Sequence, residues 1–419
     1  KGVHDVLPPE SGTWAELVAR FADRAARSGY GLIVSPVFEH IEVFQRVGEH
    51  TDVVSKEMYE LTDKGGRTLA LRPEGTASVV RAYVQHRPTA PWKVWYVAPN
   101  FRYERAQKGR YRQHWQLGVE ALGVDDPALD VEVIALLAGF YRDLGLTGVT
   151  LALNSMGDAE SRPGYVAVLR DHLLGHAAAL GPEFRERVDA NPLRVLDTKV
   201  PEWQEVVEHA PQLTEHLSDA ARIHFEQVQE GLQALGIAYE LSPRLVRGFD
   251  YYTRTTFEFQ TDALDAAQNA LGGGGRYDGL AEAMGGPPTP GIGFGAGIER
   301  LVLALEAATS APPSLRRLDA FVINGLGEIG STKATLLVSD LREEGLGADR
   351  AYGGRSVNAQ WKVADRSGAR FGVMLGRDEA ARDAVAVKDL ESGEQIEVPE
   401  KELATWLNDR RAGRSGASR

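Results

Sequence analysis

Apolar residues recur at helical spacing over 14–27 (WAELVARFADRAAR), which predicts an amphipathic helix near the start of the chain. The next stretch, YGLIVSPVFEH, loses that period and reads as extended chain broken at Pro36. Short strands are predicted at EMYELTD and TLALRP, then a helix from Thr76 to His86. VWYVAPNFRYER and RYRQHWQLGVEALG read as a long antiparallel hairpin with the polar AQKG at its tip. A helix (DVEVIALLAGFYRDLG) and a strand (TLALNSMG) follow. Residues 157–236 are rich in Ala, Glu and His, with helical patterning and no strand signal until IAYELS. They read as a helical insertion in a sheet domain. The sheet resumes at 245, passes through LGGGGRYDGL and ends in a helix beginning near Gly295. TSAPPSLRR is a linker. Beyond it DAFVIN, a helix, a short strand, the helix SVNAQWKVADRSG, RFGVML and AVAVKDL alternate as α/β units do. The expected domains are 1–312, carrying the insertion 157–236, and 318–419. There is no internal repeat, and the basic tail RRAGRSGASR reads as frayed.

Composition narrows the class. At 419 residues the chain suits two or three domains with ample core, and 43% hydrophobic with 25% charged residues marks an ordinary globular protein. With no cysteine, disulfides, thiol catalysis and Cys-based zinc sites are excluded, and the cytoplasm is the expected compartment. No apolar run is long enough to span a bilayer, and KGVHDVLPPE lacks the apolar segment of a signal peptide. A net charge of -12 argues against a general nucleic-acid coat but leaves room for local basic surfaces.

Strand alternation then sorts the polar residues. On the return strand of the hairpin Arg112, His114, Gln116, Gly118 and Glu120 share one face, while Trp115, Leu117, Val119 and Ala121 share the other. The second face is core. The first is either a solvated outer surface or a floor with a gap at Gly118 over which a ligand lies. Around the tip, Arg102, Arg105, Lys108, Arg110 and Arg112 face a single acid, Glu104, giving either a solubilising turn or a phosphate-attracting loop. No GxxxxGK[ST] or strand-linked GxGxxG occurs, so a nucleotide here must be held by guanidinium groups. GIGFGAGIERLVLAL at 291–305 brings alternate glycines into a helix with Arg300 on its first turn. Residues 245–259, LVRGFDYYTRTTFEF, form a strand-prone run that carries Arg247, Asp250, Tyr251, Tyr252 and Arg254.

PVFEH after a long helix, FRYER followed by a second strand, and GFGAGIERL resemble the three motifs of class II aminoacyl-tRNA synthetases. Within that class LVRGFDYYTRTTFEF, LGGGGRYDGL and LRPEGTAS (71–78) are similar to the signature peptides of the histidyl-tRNA synthetase family. The resemblance covers essentially the whole chain. It implies an α+β fold in which an antiparallel sheet flanked by helices bears a helical insertion, with a C-terminal α/β anticodon-binding domain. It implies ATP with substrate-borne Mg2+, histidine and histidine tRNA as ligands, and a homodimer built on the first motif around Pro36. The residue roles it implies are Arg102 on the α-phosphate and Glu104 at the adenine amino group. Arg110 and His114 would also meet ATP, and Arg300 would pair with the γ-phosphate and stack on adenine. Glu74, Thr76 and Gln116 would surround the α-amino group, and Glu120, Tyr251 and Tyr252 the imidazole. Arg247, with Arg102, would serve catalysis where the carboxylate meets the α-phosphate.

Chemistry agrees with those roles. Neutral imidazole has one donor and one acceptor nitrogen, which a carboxylate and a phenol satisfy together. An apolar amino acid would strand those groups, giving discrimination of roughly 10⁴ to 10⁵ without an editing domain, and none is visible. Activation needs no protein nucleophile because the substrate carboxylate is already ionised, and the sequence holds no dedicated metal-ligand cluster. Two positions depart from the family. His114 stands where phenylalanine is usual, which makes pH-dependent nucleotide affinity an expectation, and Ala106 where proline is usual, which predicts a looser tip. The competing reading is the catalytically silent relative that regulates ATP phosphoribosyltransferase, which lacks the C-terminal domain. In that domain Arg350, Arg355, Lys362, Arg366 and Arg370 offer cations for an RNA backbone, although a generic interaction module has the same pattern.

Overall fold

In a computed structural model of the chain, the described residues are 2–48, 51–105, 107, 109–198, 200–246, 250–264, 269–308 and 318–415. They form two compact units, Lys1–Pro313 and Ser314–Arg419.

The strands of the first unit are β1 (Gly31–Leu32), β2 (Phe38–His40), β3 (Tyr59–Thr62), β4 (Thr68–Leu71), β5 (Trp92–Phe101), β6 (Gln113–Leu122), β7 (Val149–Ser155), β8 (Glu240–Leu241), β9 (Thr253–Thr261), β10 (Ala270–Arg276) and β11 (Gly291–Gly297). Eight build one sheet in the order β1-β5-β6-β11-β10-β9-β7-β8, antiparallel except for the outermost pairs. Strands β2, β4 and β3 form a small antiparallel sheet. The helices are α1 (Glu10–Arg27), α2 (Glu42–Gly48), α3 (Asp52–Lys56), α4 (Thr76–His86), α5 (Pro127–Asp143), α6 (Ser161–Leu180), α7 (Pro182–Ala190), α8 (Pro192–Val195), α9 (Pro201–Glu208), α10 (Asp219–Ala234), α11 (Leu280–Ala283) and α12 (Ile298–Ala308).

Period-2 alternation gives the large sheet two different faces. Leu117, Val119 and Ala121 of β6 pack with Phe257 and Phe259 of β9 under α1, α5 and α12. Phe21 of α1 sits edge-on to Trp95, Phe140 and Phe294, and burial of such a ring is worth about 1.5–3 kcal/mol. On the opposite face Tyr96 and Ala98 of β5 pack with Ala77 and Val80 of α4 and Phe44 of α2. The rest of that face is open for chemistry.

The helices of residues 157–236 pack in two places: Phe225, Val228 and Leu232 of α10 join the main core, whereas Tyr165, Leu169, Phe184 and Trp203 of α6, α7 and α9 build a separate one. Two expectations are corrected here. The helix expected near Gly295 begins at Ile298, since β11 stays paired as far as Gly297 opposite Gln116. The strand expected from 245 begins at Thr253, after a turn that includes Asp250 and Tyr251.

The second unit has β12 (Ala320–Asn324), β13 (Ala348–Arg350), β14 (Phe371–Leu375), β15 (Ala384–Asp389) and β16 (Gln395–Pro399), with α13 (Gly330–Glu343), α14 (Val357–Ser367), α15 (Arg377–Ala380) and α16 (Leu403–Ser415). The sheet order is β13-β12-β14-β15-β16, parallel through the first three strands and antiparallel through the last three. The α/β alternation therefore ends in a β15–β16 hairpin that periodicity did not show. Its turn is made by the Asp389 carboxylate, which accepts from the amides of Glu391 and Ser392, with Gly393 at φ 79°. Of the tail expected to fray, residues 410–415 are helical in α16, which Leu403 and Leu407 anchor on the sheet, and 416–419 lie outside the described residues. Among the described residues no helix is long and apolar enough to cross a membrane.

Candidate active site

A cavity of about 270 Å³ opens on the polar face of the large sheet. Hairpin residues Arg102, Glu104, Arg110, His114 and Gln116 line it, together with Glu74 and Thr76 at the start of α4, Tyr251 and Tyr252 before β9, and Arg300 of α12. Of the residues singled out from sequence, Glu120 lies beneath the lining, and Arg247 falls outside the described residues, as do Ala106 and Lys108 of the tip.

Local structure explains each position. The Glu74 carboxylate accepts from the amides of Thr76 (2.7 Å) and Ala77 (2.6 Å), which satisfies the open end of α4 and aims its remaining lone pairs at the cavity. Burial pushes its pKa up, against the pull of those amides. The Gln116 amide oxygen accepts from Asn100 Nδ2 at 2.7 Å, so the head of Gln116 is held by a fully buried neighbour on β5. Arg102, one residue past β5, donates from Nε to the Pro73 carbonyl at 2.9 Å, and its Nη1 lies 3.8 Å from Glu104. Arg110 forms an ion pair with Glu104. Arg300 ties the start of α12 to the Ala270 carbonyl at 2.8 Å and to the Gly109 carbonyl at 3.4 Å.

The tip cations divide. Arg102 and Arg110 face the cavity, Arg105 is exposed, and Arg112 stacks 4.0 Å over the Tyr103 ring. At His114, burial, then the charges of Arg102, Arg300 and Arg110, lower the pKa to about 3, so without nucleotide the ring is neutral throughout the physiological range.

Glu120 is fully buried and accepts three hydroxyls: Thr76 Oγ1 at 2.7 Å, Tyr96 Oη at 3.2 Å, and Tyr277 Oη through a very short bond. The room at Gly118, read from sequence as ligand space, is occupied by the ring of Tyr96, its partner on β5. A Cβ at Gly118 would meet that ring and the Phe294 carbonyl, and one at Gly293 would meet the Glu120 carboxylate. Gly118→Ala is expected to cost about 1–3 kcal/mol of stability in denaturant unfolding.

Burial pushes Glu120 up to about 8 and Glu299, whose carboxylate accepts from the Trp115 amide, up to about 7. Both folded-state values lie above the unfolded one, so the folded state holds more protons between about pH 4.5 and 8 and loses stability as pH rises through that window. The ligand-free melting temperature is expected to fall from pH 5.5 to 8. Glu120→Gln is expected to flatten part of that fall, and an identical slope in the variant would refute the assignment.

Tyr96, Asn100 and Tyr277 escaped the sequence reading. Residues 96, 98 and 100 share a face of β5 that registers against Gly118, Gln116 and His114, so the pairing held the missing signal. Tyr277 stood in LGGGGRYDGL, a stretch quoted as a signature peptide without Tyr277 itself being singled out. Within the 245–259 run, Asp250 points to the insertion and Arg254, at φ 46°, binds Asp125 at 2.5 Å rather than the cavity. In the second unit Arg355, Lys362 and Arg366 are exposed, whereas Arg350 binds Thr335 and Arg370 binds the Arg410 carbonyl. Among the described residues no group of three or more His, Cys, Asp or Glu could hold a metal ion.

Comparisons with known proteins agree with this geometry. The family model for histidyl-tRNA synthetase matches residues 2–301, and that for an anticodon binding domain matches 321–410. A histidine–tRNA ligase of Nocardia farcinica is 49% identical over 97% of this chain and 96% of its own length. The crystal structure of apo Staphylococcus aureus histidyl-tRNA synthetase superposes with a TM-score of 0.80 at 36% identity, covering 97% of this chain and 98% of that one. A Bacillus halodurans structure described as an ATP phosphoribosyltransferase regulatory subunit/histidyl-tRNA synthetase shares the fold, with a TM-score of 0.61 and 22% identity over 86% of this chain and 95% of its own. The chain thus belongs to the histidyl-tRNA synthetase family, and its activity is that of a histidine–tRNA ligase, which forms histidyl-adenylate from histidine and ATP and passes histidine to the 3′ end of histidine tRNA.

Proposed function

We propose that the cavity over β6 and β11 is where histidine is activated. The observation that carries this reading is the convergence on one cavity of Arg102 and Arg110 from the hairpin and Arg300 from α12 with Glu74, Gln116 and Tyr252. The α-ammonium group is held by Glu74, Thr76 and Gln116. The imidazole meets Tyr252, with Tyr251 beside it, and reaches Glu120 by displacing the hydroxyl of Tyr96, the longest of its three bonds. Adenine stacks between neutral His114 and Arg300, with its amino group on Glu104. Arg110 then leaves Glu104 for the triphosphate, which brings its own Mg2+.

One carboxylate oxygen of histidine attacks the α-phosphorus, and the bond to the bridging oxygen breaks to release pyrophosphate. Negative charge grows on the phosphoryl oxygens, where Arg102 and Arg247 neutralise it. The test is ATP–pyrophosphate exchange against all amino acids. Stimulation by histidine alone is expected, whereas a full panel without stimulation would leave the regulatory reading.

We further propose a homodimer, cytoplasmic like its tRNA substrate, with Arg355, Lys362 and Arg366 contacting the anticodon arm. Support for the dimer comes from Leu32, Val34 and Phe38, which are 58%, 85% and 53% exposed around Pro36. Sedimentation is expected to give a dimer that Val34→Asp weakens. A monomeric wild-type chain at micromolar concentration would end this proposal.

A further inference from the structure

The peptide that carries Tyr251 and Tyr252 is gripped from the insertion side. Before it, Val246 packs against the insertion's own core. Within it, the Asp250 carboxylate accepts from Arg194 Nε (3.2 Å) and Nη2 (3.0 Å) and from Asn191 Nδ2 (3.4 Å). Asn191 also caps α8, accepting from the Leu193 amide at 3.1 Å, so Asp250 is fixed to the start of a helix whose Leu193 and Val195 are buried. From α6, the largely buried Arg162 donates to the Tyr252 carbonyl at 3.0 Å and to the Asp250 carbonyl at 3.5 Å. These carbonyls flank Tyr251. The peptide bearing both rings is thus held by two guanidinium groups, Arg162 on its carbonyls and Arg194 on the Asp250 carboxylate, that take no place in the cavity lining.

Charge-assisted bonds of this kind are about twice as strong as neutral ones, and Arg194 and Asp250 are only about a third exposed, at 28% and 30%. We propose that Asp250, Arg194 and Arg162 are positioning residues through which the insertion holds the histidine pocket in its binding shape. The inference rests on the reading that Tyr251 and Tyr252 face the amino acid. If the pocket is competent only while gripped, apparent affinity for histidine falls in proportion to the competent fraction, with no change in ATP contacts.

The experiment uses the full chain in ATP–pyrophosphate exchange, with KM for histidine and for ATP measured separately. Arg194→Met and Asp250→Asn are each expected to raise KM for histidine about tenfold, leaving KM for ATP and the melting temperature unchanged. The exchanged pair Arg194→Asp with Asp250→Arg is expected to recover most of that loss, which a simple packing defect would not. Tyr252→Phe separates the two readings. If it raises KM for histidine while both single variants stay at the wild-type value, the grip is overturned and the pocket stands. If none of the three moves KM, the pocket assignment fails as well. Parallel rises in both KM values with a lowered melting temperature would also overturn the grip, as a fold defect.

Discussion

Arg102→Ala is expected to lower kcat of histidine-dependent ATP–pyrophosphate exchange by about 10²–10³, equivalent to about 3–4 kcal/mol of transition-state stabilisation. The size follows from where the guanidinium sits. It lies just past β5 in a largely buried wall, with Nε committed to the Pro73 carbonyl at 2.9 Å, so its direction is set before any nucleotide arrives. A donor that needs no reorganisation acts most strongly on charge that appears only during the reaction. Most of the loss should therefore fall on kcat, with a smaller rise in KM for ATP. Arg102→Lys is expected to restore little, since an ammonium cannot reproduce a planar fork anchored at one nitrogen. Arg105→Ala, at an exposed position on the same tip, serves as the control and should stay within twofold, by order of magnitude, of wild type. Equal effects from the two variants would show that the loop acts by diffuse charge alone.

The second large effect is expected from Glu120→Ala, with loss of about 10³-fold or more in kcat/KM for histidine and little change in KM for ATP. From sequence, this substitution is expected to leave the fold intact. The three hydroxyls on Glu120 change that, because alanine would strand Thr76, Tyr96 and Tyr277 in the interior at about 1–3 kcal/mol for each group left without a partner. Glu120→Gln is the cleaner variant. It keeps shape and one acceptor, should melt near the wild-type temperature, and should still lose histidine-dependent exchange. Retention of wild-type exchange in Glu120→Gln, measured with a full histidine titration, would remove Glu120 from the reading of the imidazole.

What the sequence disclosed followed physical periodicity. The β5–β6 hairpin was legible because alternation put Leu117, Val119 and Ala121 on the buried face and His114 and Gln116 on the other. Arg300 was legible because a strand of alternate glycines runs into a helix just before it, although the helix starts at Ile298 and not near Gly295. Register between strands was not legible in the same way. The gap at Gly118 is visible in one strand, but its occupant, Tyr96, belongs to the neighbour and is assigned only by the pairing Tyr96↔Gly118. Tertiary packing hid α10 as well. Its pattern is helical wherever it packs, and tertiary contact sets it in the main core, through Phe225, Val228 and Leu232 and through His224 on Asp130 of α5 at 2.8 Å. The β15–β16 hairpin was missed because β16 (QIEVP) buries only Val398, too few apolar positions to show a period.

The ring of Tyr96 beneath the cavity has a consequence for redesign. On the reading proposed above, the depth of the chamber for the amino acid would be set there by a side chain donated from an adjacent strand. Trimming that side chain while keeping Gly118 would deepen the chamber by roughly the volume of a phenol and leave the nucleotide wall untouched. The fold thereby offers one adjustable floor for admitting bulkier, ring-alkylated analogues of histidine into translation.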